Sequence, residues 1–177
     1  MLERVKESIM AFQTNKKAIR FGMAAAALLE SILLGHSLQE SLEKVVSRAI
    51  TSPGSEDVMD ACLRALCDAK LKSYEELLEG LEEDDSGGRS SKLPASFIAD
   101  LYLFYKAVGD GNEDEGAYKK AVRENILGGG DTCGRALLIG AVMGACAGKV
   151  PEDWVEKVDK ETMSNVEKAI KSISEAI

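Results

Sequence analysis

The sequence is poor in histidine, proline and aromatic residues, and its cysteines are scattered. It has one histidine, three prolines and 5% aromatic residues. The four cysteines are Cys62, Cys67, Cys133 and Cys146, and no two of them have the CxxC spacing. These features argue against a structural zinc site, which needs four Cys or His ligands at short spacings. We expect instead reduced, buried thiols in an intracellular compartment.

The sequence also lacks a long apolar run and an excess of positive charge. The longest apolar stretch, residues 21–35, is interrupted by Glu30 and is shorter than the ~20 residues that span a bilayer. The first residues, MLERVKESIMAF, lack the apolar core of a signal peptide. The net charge is −8, and we find no basic patch with interleaved aromatic residues. We therefore expect a soluble, intracellular protein, in the cytoplasm or in an organelle, that neither spans a membrane nor binds nucleic acid.

What the sequence does contain is helical periodicity along almost its whole length. Apolar residues make up 45% of the chain and recur at the 3.6-residue spacing, and no alternating strand pattern appears. This pattern predicts an all-α fold, a compact multi-helix orthogonal bundle in a single domain over residues 1–177. The predicted helices cover residues 3–13, 16–34, 38–50, 56–70, 73–82, 94–108, 116–127, 133–148 and 160–176.

Two acidic segments interrupt the helical pattern. Residues 82–92, EEDDSGGRSSK, have no periodicity and are predicted to form a flexible polar loop. Asp110, Asn112 and Asp114 have the spacing that begins an EF-hand loop, but Glu115 stands where that loop requires glycine. We therefore interpret residues 109–115 as a solvated acidic turn.

The segment GGGDT, at Gly128, Gly129, Gly130, Asp131 and Thr132, is the candidate ligand-binding site of the chain. Glycine permits backbone conformations and close approaches that a Cβ would block. A helix N-terminus offers free N–H groups to an anion, and a carboxylate suits a hard cation such as Mg²⁺. The alternative is that Asp131 or Thr132 only caps the helix that follows. The residues alone leave both interpretations open.

The stretch GGGDTCGRALLIGAVMGACAGKVPEDW resembles the C-terminal signature of the ADP-ribosylglycohydrolase superfamily. There the signature begins GGDTDT and continues as a helix with repeated glycines, matched here by Gly140, Gly144 and Gly148. Pro151 and Trp154 match the exit from that helix. TCGRALLIGAVMGA is also similar to the NCSRA segment of the non-enzymatic J-type crystallins in this superfamily. The resemblance covers roughly residues 70–158, and weakly residues 16–50, and implies part of an all-α fold that holds a di-magnesium centre.

The metal-binding part of the signature is not fully present. Asp131 matches the first aspartate, but Cys133 stands at the second and Gly134 at the following threonine. The superfamily's Ser/Thr-Asp-Asp motif is missing, because the only Asp-Asp pair, at residues 84–85, follows two glutamates. We therefore expect a vestigial, empty metal position at Asp131, no catalytic residues and no cofactor, with Mg²⁺ as the alternative.

Three functions are consistent with this resemblance. The first is a catalytically silent, crystallin-like protein that serves as a structural or interaction module. Its protein partner, or a second copy, would cover apolar helix faces such as that of Phe97, Leu101, Phe104 and Tyr105. The second is a divergent magnesium-dependent hydrolase of ADP-ribosyl linkages. The third is an ADP-ribose or nucleotide sensor in which residues 128–131 cradle a phosphate.

Overall fold

The computed structural model describes residues 2–83 and 89–175 of the chain and confirms the all-α prediction. Within these ranges there is no β-strand, and no helix combines the length and apolarity needed to cross a bilayer. The helices are α1 (Leu2–Phe12), α2 (Lys16–Leu33), α3 (Leu38–Thr51), α4 (Glu56–Leu71), α5 (Tyr74–Glu83), α6 (Ala95–Gly109), α7 (Glu115–Leu127), α8 (Thr132–Ala147), α9 (Glu152–Val155) and α10 (Lys160–Glu175). The short α9 follows Pro151, where the sequence predicted only a turn.

Helix α6 lies at the centre of the core, where it contacts α3, α4, α5, α7 and α8. It is apolar around most of its circumference, as expected of a helix that is enclosed by neighbours. The prediction that its apolar face awaits a partner is therefore wrong. Phe97, Leu101 and Phe104 are buried in the core, and Tyr105 is half-buried.

Side-chain caps fix where several helices begin. The Ser37 hydroxyl accepts the Glu40 N–H, and the Glu40 carboxylate accepts the Ser37 N–H, so α3 begins with a complete capping box. In the acidic turn, Asp114 Oδ1 accepts the Ala117 N–H at 3.0 Å and caps α7. The carboxylates of this turn are thus used in local structure.

Helices α7 and α8 pack as an antiparallel pair through small residues. Gly140 and Gly144 of α8 lie against Tyr118 of α7, because a Cβ at either glycine would be 3.8–3.9 Å from the Tyr118 ring or hydroxyl. The Tyr118 ring also meets Trp154 edge-on, with centroids 5.8 Å apart. The glycines therefore let an aromatic side chain, rather than a bare backbone, fill the space between the helices.

The prediction of buried cysteines is right for Cys62 and wrong for Cys67 and Cys133. All four cysteines are free, and Cys62 is buried, Cys146 half-buried and the other two exposed. The difference arises because α4 and α8 each turn one side to solvent, and these two thiols lie on that side.

The predicted flexible loop over residues 82–92 is described only at its two ends. Glu82 and Glu83 form the last residues of α5, and the chain is described again from Arg89. Residues 84–88, which include the Asp-Asp pair, lie outside the described residues. Arg89 contributes to the candidate site at residues 128–132.

Candidate functional site

The glycine turn, residues 128–131, connects the end of α7 to the start of α8. Gly128 closes α7 by donating its N–H to the Glu124 carbonyl at 2.9 Å. Gly129 and Gly130 follow with φ of +68° and +69°, in the left-handed region where a Cβ is disfavoured. The turn therefore connects α7 to α8 within a few residues, and its first glycine lies against Tyr74 and Leu78 of α5.

Two of the glycines are needed because other groups occupy the space of a side chain. A Cβ at Gly128 would lie 2.7 Å from Leu78 Cδ1 and 2.8 Å from Tyr74 Cε1. A Cβ at Gly130 would lie 2.2 Å from the Arg89 carbonyl oxygen. No atom lies within 4 Å of a Cβ built at Gly129. The turn is thus packed on both sides by this chain itself.

Arg89 holds the turn through both its backbone and its side chain. Its Nε donates to the Gly128 carbonyl at 2.8 Å, and its own carbonyl accepts the Asp131 N–H at 2.7 Å. The same guanidinium donates to the carboxylates of Glu75 and Glu82 on α5. Arg89 therefore ties α5 to the glycine turn.

Arg135 holds the turn from inside the protein, where its side chain is only 1% exposed. Its Nε donates to Asn125 Oδ1 at 2.8 Å, its Nη1 donates to the Arg89 carbonyl at 3.0 Å, and its Nη2 donates to the Gly129 carbonyl. The Asn125 amide in turn donates to the Thr132 carbonyl at 2.9 Å. A buried guanidinium needs such a set of acceptors to replace water.

The carboxylate of Asp131 caps α8. Asp131 Oδ1 accepts the Gly134 N–H at 3.0 Å, and the Thr132 N–H donates to the Gly130 carbonyl at 2.9 Å. A Cβ at Gly134 would lie 2.6 Å from Asp131 Oδ2, so the capping carboxylate occupies the space that a side chain at position 134 would need. Asp131 is thus the N-cap residue of α8. Cys133, beside it, is exposed.

Two buried polar groups close to Arg135 were missed from the sequence. Asp100 of α6 is 5% exposed, and Tyr74 of α5 is buried. Among the described residues, neither Asp100 Oδ1 nor the Tyr74 hydroxyl has a hydrogen-bond partner. Burial raises the pKa of Asp100 well above its usual range, and the charge of Arg135 only partly opposes this. Asp100 could have been identified from the sequence, because it is a lone acidic residue within the apolar α6 segment.

The raised pKa of Asp100 predicts a change of stability with pH. Above its unfolded pKa, the unfolded state loses the proton while the folded state keeps it. The contribution of Asp100 is therefore full below that unfolded pKa and is lost as pH rises through the folded pKa. Asp100→Asn removes this titration. Urea unfolding should show the parent losing stability relative to Asp100→Asn as the pH rises above the unfolded pKa of an aspartate, ~3.9. A constant difference between the two proteins would contradict the buried, protonated carboxyl.

The donors at Asp131 do not fit the two-magnesium centre that the resemblance implies. Mg²⁺ prefers a near-octahedral set of oxygen ligands. Beside Asp131, the chain offers a thiol at Cys133 and no side chain at Gly134, and Oδ1 of the aspartate already accepts a backbone N–H. In residues 2–83 and 89–175, no three His, Cys, Asp or Glu side chains form a group suited to a metal ion. One carboxylate beside a thiol is a poor match for this cation.

Comparison with known proteins gives a family for the chain. No curated protein and no solved structure matches it. The family model of the ADP-ribosylglycohydrolases matches residues 3–176, well beyond the residues that carry the motif resemblance. The all-α architecture around the glycine turn agrees with that match. The chain therefore belongs to the ADP-ribosylglycohydrolase family.

Proposed function

We propose that this chain is a catalytically silent member of its family and serves as a structural or interaction module. The proposal rests on the observation that polar groups of the glycine turn form hydrogen bonds with other groups of the same chain. Arg89 donates to the Gly128 carbonyl, and Arg135 donates to the Gly129 carbonyl. The Gly134 N–H donates to the Asp131 carboxylate. The groups that would serve a ligand or metal instead hold α5, α7 and α8 together.

The same bonding pattern disfavours a phosphate cradle at this turn. Such a cradle needs several free backbone N–H groups that converge on the anion. Here the Gly129 N–H donates to Ile126, the Asp131 N–H to Arg89 and the Thr132 N–H to Gly130, each to a carbonyl. The nucleotide-sensor alternative would require this turn to open first.

Arg135 supports the likeness to the non-enzymatic crystallin branch. Arg135 is the arginine of the TCGRA segment, which resembles the NCSRA segment of the J-type crystallins. In this chain that arginine is the buried residue that fixes the glycine turn. The segment thus combines a lost metal ligand at Cys133 with a structural arginine two residues later. We take this combination as support for a structural role.

The interaction role needs an apolar surface, and exposed residues near the glycine turn provide one. Leu127 at the end of α7 is 83% exposed, and Leu137 on α8 is 78% exposed. Large exposed apolar residues such as these can contribute to a surface that binds another protein. We propose that a protein partner or a second copy covers these helices.

A hydrolysis assay with the full chain tests whether the protein lacks catalytic activity. ADP-ribosylated peptides, carrying either N- or O-glycosidic linkages, are incubated with the protein and millimolar Mg²⁺, and free ADP-ribose is measured by mass spectrometry. We expect no release above the rate in buffer, because water activation by a metal centre needs more oxygen ligands than Asp131 supplies. Release by the parent and not by Asp131→Ala would show an active hydrolase and overturn the proposal.

A further inference from the structure

A cavity of about 530 Å³ lies between α1, α2, α3 and the start of α4. Its size is within the range of small-molecule sites, which are mostly apolar clefts with a few polar groups. The apolar part of its wall includes Ile19, Met23, Ala24, Val45 and Val58. Its features are independent of the glycine turn and of the proposed function.

The polar part of the wall is mainly cationic. Lys6 pairs with Glu3 at 3.2 Å, and Arg20 donates twice to Asp57, at 2.6 and 3.0 Å. Arg48 also lines the cavity, and among the described residues no carboxylate lies within ion-pair distance of its guanidinium. The exposed Arg48 is thus a positive charge of the cavity wall that no carboxylate of the described residues neutralises.

A smaller cavity of about 70 Å³ adjoins the first at Arg48. The two cavities share Ala27, Val45 and Arg48, and the smaller one adds Lys44 and His36 to the wall. His36 and Lys44 lie near the Glu40 carboxylate, so among the described residues Arg48 is the cation of the shared wall that has no carboxylate partner. An anion placed near Arg48 would meet favourable charges, which a cation would not.

We propose that this cavity binds an amphipathic organic anion, with its carboxylate or phosphate head at Arg48 and its hydrocarbon chain against Met23, Ala24 and Val58. Arginine presents paired N–H donors that match a carboxylate or a phosphate. Burial of the hydrocarbon chain supplies the affinity, and the guanidinium supplies the selection for negative charge. The ligand is a single-chain molecule because one cavity of this volume has room for one chain.

The test is isothermal titration calorimetry of the full chain with three decyl compounds below their micelle concentrations. Decanoate and decyl phosphate carry anionic heads, and comparison of the two identifies the preferred head group. Decyltrimethylammonium carries the same tail with a positive head. We expect saturable binding of one or both anions and none of the cation.

Two variants locate the site. Arg48→Ala should weaken anion binding by about tenfold or more, as expected for loss of one charged hydrogen-bonding partner. Arg123→Ala, which removes an exposed arginine on α7, should leave binding unchanged. Ala27→Leu keeps the charge and narrows the space where the two cavities meet, so it should also weaken binding. If Arg48→Ala is too unstable for a binding measurement, Ala27→Leu tests whether the anion binds in this cavity.

Three results would overturn the proposal. One is the lack of binding by either anion, and another is equal binding of the cation. The third is anion binding that neither Arg48→Ala nor Ala27→Leu weakens, because that would place the anions elsewhere on the protein.

Discussion

Replacing Arg135 with methionine should lower the free energy of unfolding by ~3–5 kcal/mol, measured by urea unfolding followed with circular dichroism. Methionine retains much of the apolar volume but donates no hydrogen bond. The Asn125 amide oxygen and the Gly129 carbonyl would each lose a donor, and the Arg89 carbonyl would keep only its bond from the Asp131 N–H. A buried acceptor without a partner is destabilising by ~1–3 kcal/mol.

A matched control and a conservative variant sharpen this test. Arg123→Met, at an exposed position on α7, should change stability by no more than ~0.5 kcal/mol. Arg135→Lys keeps the charge but not the planar fork, and one ammonium group cannot reach three acceptors in different directions. It should remain strongly destabilised. A lysine variant as stable as the parent would show that charge alone matters at this position.

Gly130→Ala should destabilise the protein far more than Gly129→Ala, although both glycines have nearly the same φ. The left-handed conformation alone is unfavourable by ~1–2 kcal/mol for alanine. At Gly129 a Cβ meets no atom within 4 Å, so that conformational term is the whole expected effect. At Gly130 a Cβ would lie 2.2 Å from the Arg89 carbonyl oxygen, and backbone must shift to make room.

The shift at Gly130 would also break bonds that hold the turn. Moving the Arg89 carbonyl disturbs its contacts with the Asp131 N–H and with Arg135. We therefore expect Gly130→Ala to lose ~3 kcal/mol or more, or to fold incompletely. Thermal unfolding of the two variants side by side measures the difference. Equal melting temperatures would mean that the Arg89 backbone does not pack against residue 130 in solution.

The helices were predictable from the sequence because their signals are local. The capping box of Ser37 and Glu40 fixes the start of α3 at Leu38, where the sequence placed it. Apolar periodicity within each segment places the other long helices to within about two residues at most ends. The short α9 was missed because it is set by only a few residues.

The candidate site was only partly predictable because its key bonds join distant parts of the chain. The glycines and the Asp131 cap follow from local sequence. The bond from Arg135 to the Arg89 carbonyl spans 46 residues and uses a backbone acceptor, which leaves no mark in the sequence. The cavity cations Lys6, Arg20 and Arg48 come from three helices and form no local basic motif.

The assignment of Phe97 and its neighbours to an open face had a different cause. The resemblance to part of a larger fold suggested that the central apolar helix would lie uncovered. In the structure, α4 and α8 cover it on two sides. An apolar helix without a polar face indicates an enclosed position whatever the ancestry of the chain.

The central claim is that Asp131 and the glycine turn serve structure and not magnesium. The most direct measurement is the melting temperature of the parent and of Asp131→Ala, each with EDTA and with millimolar Mg²⁺. Loss of the cap should lower stability by ~0.5–2 kcal/mol in both conditions. We predict that magnesium leaves both melting temperatures unchanged. A rise with magnesium in the parent that is absent in Asp131→Ala would contradict the account and show that Asp131 holds the metal.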